Sequence, residues 1–181
     1  MDRLQIPRDA LVVLCGPAGS GKSTFARRHF RPTAIVSSDR CRAMVGDDEA
    51  NIAVSPLAFE LFHLIIDLRL RQRRLTVADS TAVRREARDD LLRAGRRRDV
   101  PVVLIVFAVS LAWAHANNAR RRRRVKRSVI DEQWQRLAES LGTVAEEGFE
   151  ETYVLGDEEI RVSTIEWTRP RASRVERHVS G

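Results

Sequence analysis

Cysteine and lysine are each used only twice, as Cys15 and Cys41 and as Lys22 and Lys126. Two cysteines without paired spacing argue against a disulfide framework or a cysteine-built zinc site, and they suit a reducing compartment. Aromatic residues are sparse, at six Phe, three Trp and one Tyr. None of them forms a stacking platform, so base-by-base readout of a nucleic acid is not expected. Long hydrophobic runs are missing too. The longest apolar stretch, Val100 to Trp113, is interrupted by Pro101 and Ser110 and falls short of a membrane span. Met1-Asp2-Arg3-Leu4-Gln5 lacks the basic-then-apolar build of a signal peptide. The expectation is a cytoplasmic protein with reduced thiols and no membrane partner.

What is present is enough for one domain. The chain has 181 residues, of which 43% are hydrophobic, sufficient for a single full core. Net charge is +7 and the pI is near 10.7. Nearly all of the 32 Lys and Arg residues are arginine. That bias leaves two readings open: arginines that solvate helix faces, or a polyanionic partner such as nucleic acid. It also makes Lys22 informative, because lysine appears where a phosphate-binding loop requires it.

Hydrophobic patterning alternates strands with helices. Leu11-Val12-Val13-Leu14 reads as a buried parallel strand. Gly16 to Gly21 is a glycine-rich turn, and Lys22 to Phe30 reads as a helix. A second strand spans Thr33 to Val36. Ser55 is expected to cap a helix with Pro56 in its first turn, burying Ala58, Leu61, Phe62, Ile65 and Ile66 on one face. Leu75 to Ala78 and Val102 to Val109 read as further strands, with a basic helix over Arg84 to Arg98 between them. Helix is expected to run from Leu111 through Arg120–Arg124 to about Leu141. A fifth strand lies near Thr152 to Leu155, and a short helix or strand near Glu158 to Trp167. The pattern predicts an α/β fold, a five-stranded parallel sheet with helices on both faces. The domain is expected over 1–168, with a helical lid at about 111–142 and a flexible basic tail over 169–181.

Gly16-Pro17-Ala18-Gly19-Ser20-Gly21-Lys22-Ser23 fits G-x-x-x-x-G-K-[ST] in full, after an apolar strand and before a helix. The predicted nucleotide site is Gly16, Pro17, Ala18, Gly19, Ser20, Gly21, Lys22, Ser23 and Thr24. Glycines let backbone N–H groups approach phosphate oxygens, and the helix N-terminus adds its positive dipole end. Lys22 reaches the β- and γ-phosphates, and the Ser23 hydroxyl is placed to ligate Mg²⁺. The implied ligand is ATP·Mg²⁺. Hydrolase, motor and kinase readings are all compatible with this loop by itself.

Ligands in such sheets bind beyond the carboxyl ends of the strands, where Ser37-Ser38-Asp39 and Asp79-Ser80-Thr81 also fall. Asp39 is either a proton acceptor for an attacking hydroxyl or a helix cap. Arg42, three residues on, shares its helix face and can hold a phosphate. Asp79 is either an aspartate that holds a water of the Mg²⁺ shell or a turn residue. Arg120 to Arg124 are either surface charge or, for two of the five, lid residues that offset charge on a transferring phosphoryl group.

These segments together resemble the 5′-kinase module of bacterial polynucleotide kinase–phosphatase repair proteins, within the wider P-loop kinases. The resemblance runs from Leu11 to Trp167. It is carried by Gly16-Pro17-Ala18-Gly19-Ser20-Gly21-Lys22-Ser23-Thr24-Phe25-Ala26, Val36-Ser37-Ser38-Asp39-Arg40-Cys41-Arg42, Leu75-Thr76-Val77-Ala78-Asp79-Ser80-Thr81 and Asn117-Asn118-Ala119-Arg120-Arg121-Arg122-Arg123-Arg124-Val125. It implies transfer of the ATP γ-phosphate to 5′-OH ends of RNA or DNA. Asp39 then matches the general base, Arg42 the grip on a substrate phosphate, and Arg120 and Arg123 the lid arginines. Ala82 and Ala116 stand where the family often has asparagine and arginine. The phosphatase and nucleotidyltransferase modules of longer repair proteins are absent from this sequence, so end healing implies separate phosphatase and ligase proteins. Two other functions remain in view: a small-molecule P-loop kinase acting on a sugar, nucleoside or antibiotic, and an ATP-dependent nucleic-acid-binding module without transfer activity.

Overall fold

The computed structural model describes residues 3–170; from residue 171 onward the expected basic tail lies outside the described residues. Five parallel strands form the central sheet: β2 (Leu11–Cys15), β3 (Ile35–Ser37), β4 (Thr76–Asp79), β5 (Val102–Phe107) and β6 (Glu151–Leu155), in the order β3-β4-β2-β5-β6. β2 and β5 are buried at every residue, as expected of strands covered on both faces. Side chains alternate across the sheet. Leu11, Val13 and Cys15 join one core with Leu104 and Val106, while Val12 and Leu14 join another with Val103, Ile105 and Phe107.

Helices complete both cores. α3 (Ser55–Arg71) and α4 (Arg85–Arg97) supply Phe62, Ile66, Leu70, Leu91 and Leu92 to the first. α1 (Lys22–His29), α5 (Leu111–Ala119) and α6 (Arg127–Ser140) supply Phe25, Ala114 and Ile130 to the second. The remaining elements are β1 (Arg3–Pro7), α2 (Ser38–Gly46), α7 (Glu159–Val162) and β7 (Thr164–Thr168). The expected face of α3 is the buried one, extended to Leu70, with Leu61 and Ile65 at its margin. Ser55 does not cap α3: the 3₁₀ turn Ile52–Val54 runs straight into the helix, so Ser55 already has helical angles.

Two features depart further from the sequence pattern. β1 pairs in parallel with β7 as a separate two-stranded sheet, and both ends of the described chain meet there. Its alternation, with Leu4 and Ile6 buried and Arg3 and Gln5 exposed, is short but legible. The expected continuous helix over 111–141 is broken instead. Asn118 accepts a hydrogen bond from the Val125 backbone N–H and donates to its carbonyl, both at 2.9 Å. This two-point clasp closes a loop that carries the arginine run, where like charges three and four residues apart, such as Arg120 with Arg123 and Arg124, disfavour helix. Among the described residues no helix is long and apolar enough to cross a membrane.

The two cores share the central strands, so a cavity in either is felt by the sheet. Leu104→Ala, at a fully buried position of β5, is expected to cost about 3 kcal/mol. Urea unfolding with an unchanged m-value checks this, and a loss under about 1 kcal/mol contradicts the packing described.

Candidate phosphate-loop and acceptor site

The sheet register lines up the strand ends. Leu14 pairs with Asp79 and Asp79 with Ser37, so β2, β4 and β3 finish in one row. From that row the chain enters the phosphate loop, the Asp79–Val83 segment and α2. The Gly16 N–H donates to the Thr81 carbonyl at 2.8 Å, joining the first two segments directly.

Two loop glycines are required by geometry. Gly19 has φ +83°, and a Cβ there would lie 2.2 Å from the Ala114 carbonyl oxygen of α5. Gly21, at the N-terminus of α1, has φ +98°. Side chains rarely tolerate these angles, and they turn backbone N–H groups toward the concave side. Helices α5 and α6 both grip the loop from outside: Asn117 Nδ2 donates to the Gly19 carbonyl at 3.1 Å, and the Ala18 N–H donates to Gln133 Oε1 at 2.8 Å. Gln133 gave no sequence signal, because its partner lies 115 positions away.

The Lys22 ammonium is buried and folded onto the loop. Nζ donates to the carbonyls of Gly16 (2.7 Å) and Pro17 (2.8 Å) and to Ser20 Oγ (3.3 Å). Burial pulls its pKa down to about 8, with the Arg121 guanidinium adding to the drop, while the Asp79 carboxylate and Cys15 oppose it. Beneath the loop, burial pushes the Cys15 thiol up to about 11, so it is neutral near pH 7. A desolvated ammonium cradled by carbonyls and backed by a helix N-terminus suits a bound polyphosphate. Ser23 lies on the first turn of α1, and Asp79 is buried at the end of β4 beside Lys22. A hydroxyl and a carboxylate are hard oxygen donors of the kind Mg²⁺ takes. Thr24 is exposed on α1.

The cap of α2 is Ser37, whose Oγ accepts from the Arg40 N–H. Asp39 is thereby left to side chains. Arg42 Nη2 donates to its Oδ1, and Arg123 Nη1, from the arginine loop, approaches its Oδ2 at 3.4 Å. Arg42 is anchored in turn by donating from Nε to the Glu49 carbonyl at 2.9 Å. Burial and the neighbouring Arg123 charge both lower the Arg42 pKa. Two guanidinium groups therefore converge on one half-exposed carboxylate. Arg120 sits exposed at the end of α5. Arg121, which the sequence did not single out, is the arginine within electrostatic reach of Lys22. Consecutive arginines are alike as a sequence; only the loop's path separates them.

Residues 11–142 match the family model described as an AAA domain, and the chain belongs to that family. No curated protein matches it. Among solved structures, it is similar to a chain of the Pnkp1/Rnl/Hen1 RNA repair complex at 19% identity and TM-score 0.65, over 79% of this chain and 47% of that one. It thus spans about half the length of that protein. It is also similar to a gluconokinase from Sinorhizobium meliloti 1021, at 18% identity and TM-score 0.52, over 83% of this chain and 84% of that one. The APS kinase CysC of Mycobacterium tuberculosis, solved with AMPPNP and APS, matches at 14% identity and TM-score 0.52, over 86% and 95%. The fold is that of the P-loop kinases.

The depressed Lys22 pKa makes nucleotide binding proton-linked. An anion beside Nζ favours the ammonium, so the bound pKa exceeds about 8. Well above that value the free protein has lost the proton and must regain it on binding; well below it there is nothing to regain. Calorimetric titration with ATP in buffers of different ionisation enthalpy is expected to show uptake of about half a proton or more at pH 8.5, and Lys22→Met to show none. Equal uptake by parent and variant contradicts the assignment.

Proposed function

We propose that this AAA-domain protein is an ATP-dependent polynucleotide kinase that transfers the γ-phosphate to 5′-hydroxyl ends of RNA or DNA. The observation that carries the reading is Asp39. It lies on the first turn of α2, directly after β3 in the row of strand ends that launches the phosphate loop, and its carboxylate is bracketed by one arginine from α2 and one from the lid loop.

That arrangement allows an economical division of labour. The phosphate loop and Lys22 hold the nucleotide's phosphates. Ser23 and Asp79 would hold Mg²⁺, which would supply charge neutralisation at the phosphate oxygens. Asp39 accepts the proton of the incoming hydroxyl while orienting it. Arg42, released from the carboxylate, takes the acceptor's neighbouring phosphate in a planar, charge-assisted pair. Arg121 and Arg123 bring positive charge from the lid side, where negative charge spreads in phosphoryl transfer. The net charge of +7 favours a polyanionic acceptor, and the similarity to a chain of an RNA repair complex points the same way. Separate phosphatase and ligase proteins would complete end healing.

One observation favours a second reading. The gluconokinase and the APS kinase match over most of their own length, whereas the repair-complex chain matches over less than half of its own. A small-molecule hydroxyl acceptor, with Arg42 on an anionic group of that molecule, fits the same geometry.

Transfer of label from γ-labelled ATP to a 5′-OH oligonucleotide, in competition with sugars and nucleosides, separates the readings. Labelled oligonucleotide is the expected product; labelling confined to a small molecule decides for the second reading. Asp39→Asn is expected to bind ATP as the parent does and to lose turnover by about 10²-fold or more. Lost ATP affinity would instead make Asp39 part of the metal site. Arg42→Ala is expected to lower the salt slope of oligonucleotide binding by about 0.7, the share of one single-strand phosphate. An unchanged slope removes Arg42 from the acceptor site.

A further inference from the structure

Arg88, on α4, is the largest fully buried side chain described. Its Nε and Nη2 donate to the carboxylate of Glu147, at 2.8 and 2.5 Å. Nη1 donates to the carbonyls of Ala82 (3.1 Å) and Val83 (3.0 Å) and lies 3.9 Å from Cys15 Sγ. Glu147, in the 3₁₀ turn Val144–Glu147, is as deeply buried as its partner. A buried ion pair is poor value for stability alone, since apolar side chains of similar volume commonly do as well. What an apolar side chain cannot do is hold two carbonyls.

Those carbonyls belong to the segment that follows β4. Ala82 adopts φ +43°, an angle uncommon without glycine. Its carbonyl is held from two sides, by Arg88 Nη1 and by the Cys15 thiol at 3.2 Å. One residue earlier, the Thr81 carbonyl receives the Gly16 N–H of the phosphate loop. Two residues before that stands Asp79, beside Lys22. The segment from 79 to 83 is thus fixed against the phosphate loop on one side and against Arg88 on the other.

We propose that Arg88, braced by Glu147, is a positioning residue that sets the Asp79–Val83 segment against the first glycine of the phosphate loop and so aims the Asp79 carboxylate. The proposal rests on the reading of Lys22 and Asp79 as parts of a kinase site, and it deepens that reading. Arg88 touches no nucleotide; it acts through the backbone of Ala82 and Val83. Lysine cannot replace it, because one ammonium cannot span a carboxylate and two carbonyls in a planar fork.

The test compares the parent with Arg88→Met/Glu147→Leu and with Arg88→Lys. Three quantities are read: cooperative thermal unfolding, hydrogen exchange of the Gly16 amide without nucleotide, and phosphoryl transfer against Mg²⁺ concentration. The double variant is expected to unfold cooperatively, since it swaps a buried pair for apolar groups. Its Gly16 amide is expected to exchange about tenfold faster or more, as the Thr81 carbonyl moves. Its Mg²⁺ midpoint is expected to rise several-fold and its kcat to fall about 10²-fold, the size of effect a small displacement of a catalytic group produces. Arg88→Lys is expected to fall between. A folded double variant with the Gly16 exchange and Mg²⁺ midpoint of the parent overturns the proposal. Where the double variant does not unfold cooperatively, Arg88→Lys decides on the same two readings. If the parent itself transfers no phosphate, the kinase reading fails, and the nucleotide-free exchange of Gly16 still decides for or against Arg88.

Discussion

A positive charge enclosed by carbonyl oxygens and stripped of water needs an anion, and Lys22 is held in that condition. Its ammonium rests on Gly16, Pro17 and Ser20, contacts that satisfy its donors without supplying a formal negative charge. Burial outweighs them and depresses its pKa. The neighbouring groups do little to relieve this. Asp79 opposes the shift, Arg121 reinforces it, and the Cys15 thiol beneath the loop is itself raised by burial and stays neutral. The loop is therefore pre-organised for a ligand that brings more than one negative charge, because the donors and the dipole of α1 are fixed before it arrives.

A second charge problem lies beyond the strand ends. Arg42 and Arg123 repel one another, and Asp39 is what permits them to approach. Asp39 is the one carboxylate paired directly with both guanidinium groups, and Glu49 adds a more distant negative charge on Arg42. On the proposed kinase reading, an acceptor phosphate would enter there without displacing the carboxylate from both partners at once. The exchange would free an oxygen of Asp39 for a hydroxyl proton. Acceptor binding and base activation would then be linked events, since the phosphate would compete with Asp39 for the same arginine.

How much of this could be read from the sequence follows from the range of the interactions involved. The phosphate loop was legible because its motif, its preceding apolar strand and its helix start are contiguous. The sheet was legible because continuous apolar runs such as Val102–Phe107 mark strands buried on both faces. The break between α5 and α6 was not, because the clasp between Asn118 and Val125 overrides helix propensity through two local hydrogen bonds that no periodicity reports. The separate sheet of β1 and β7 was not foreseen, although a short helix or strand was expected near Glu158 to Trp167, because the two partners lie at opposite ends of the described chain. Arg88 and Glu147 were invisible for a related reason: each sits in a run of charged residues, and a buried arginine cannot be told from a solvated one until the fold brings its acceptors together.

The use of arginine and lysine has its own physical logic. The loop offers a narrow space lined by carbonyls, which suits a compact ammonium with three donors on one nitrogen. A planar guanidinium in that space would have to splay across several oxygens and would hold the loop open. At Asp39 and Glu147 the demands are reversed: a carboxylate and one or more carbonyls must be met at set angles, and the fork of arginine meets them. In a chain whose cations are nearly all arginine, lysine at position 22 therefore marks the one place in this site where fork geometry is a disadvantage. The same preference that makes the surface arginine runs hard to interpret makes Lys22, one of only two lysines, a geometric statement about the loop.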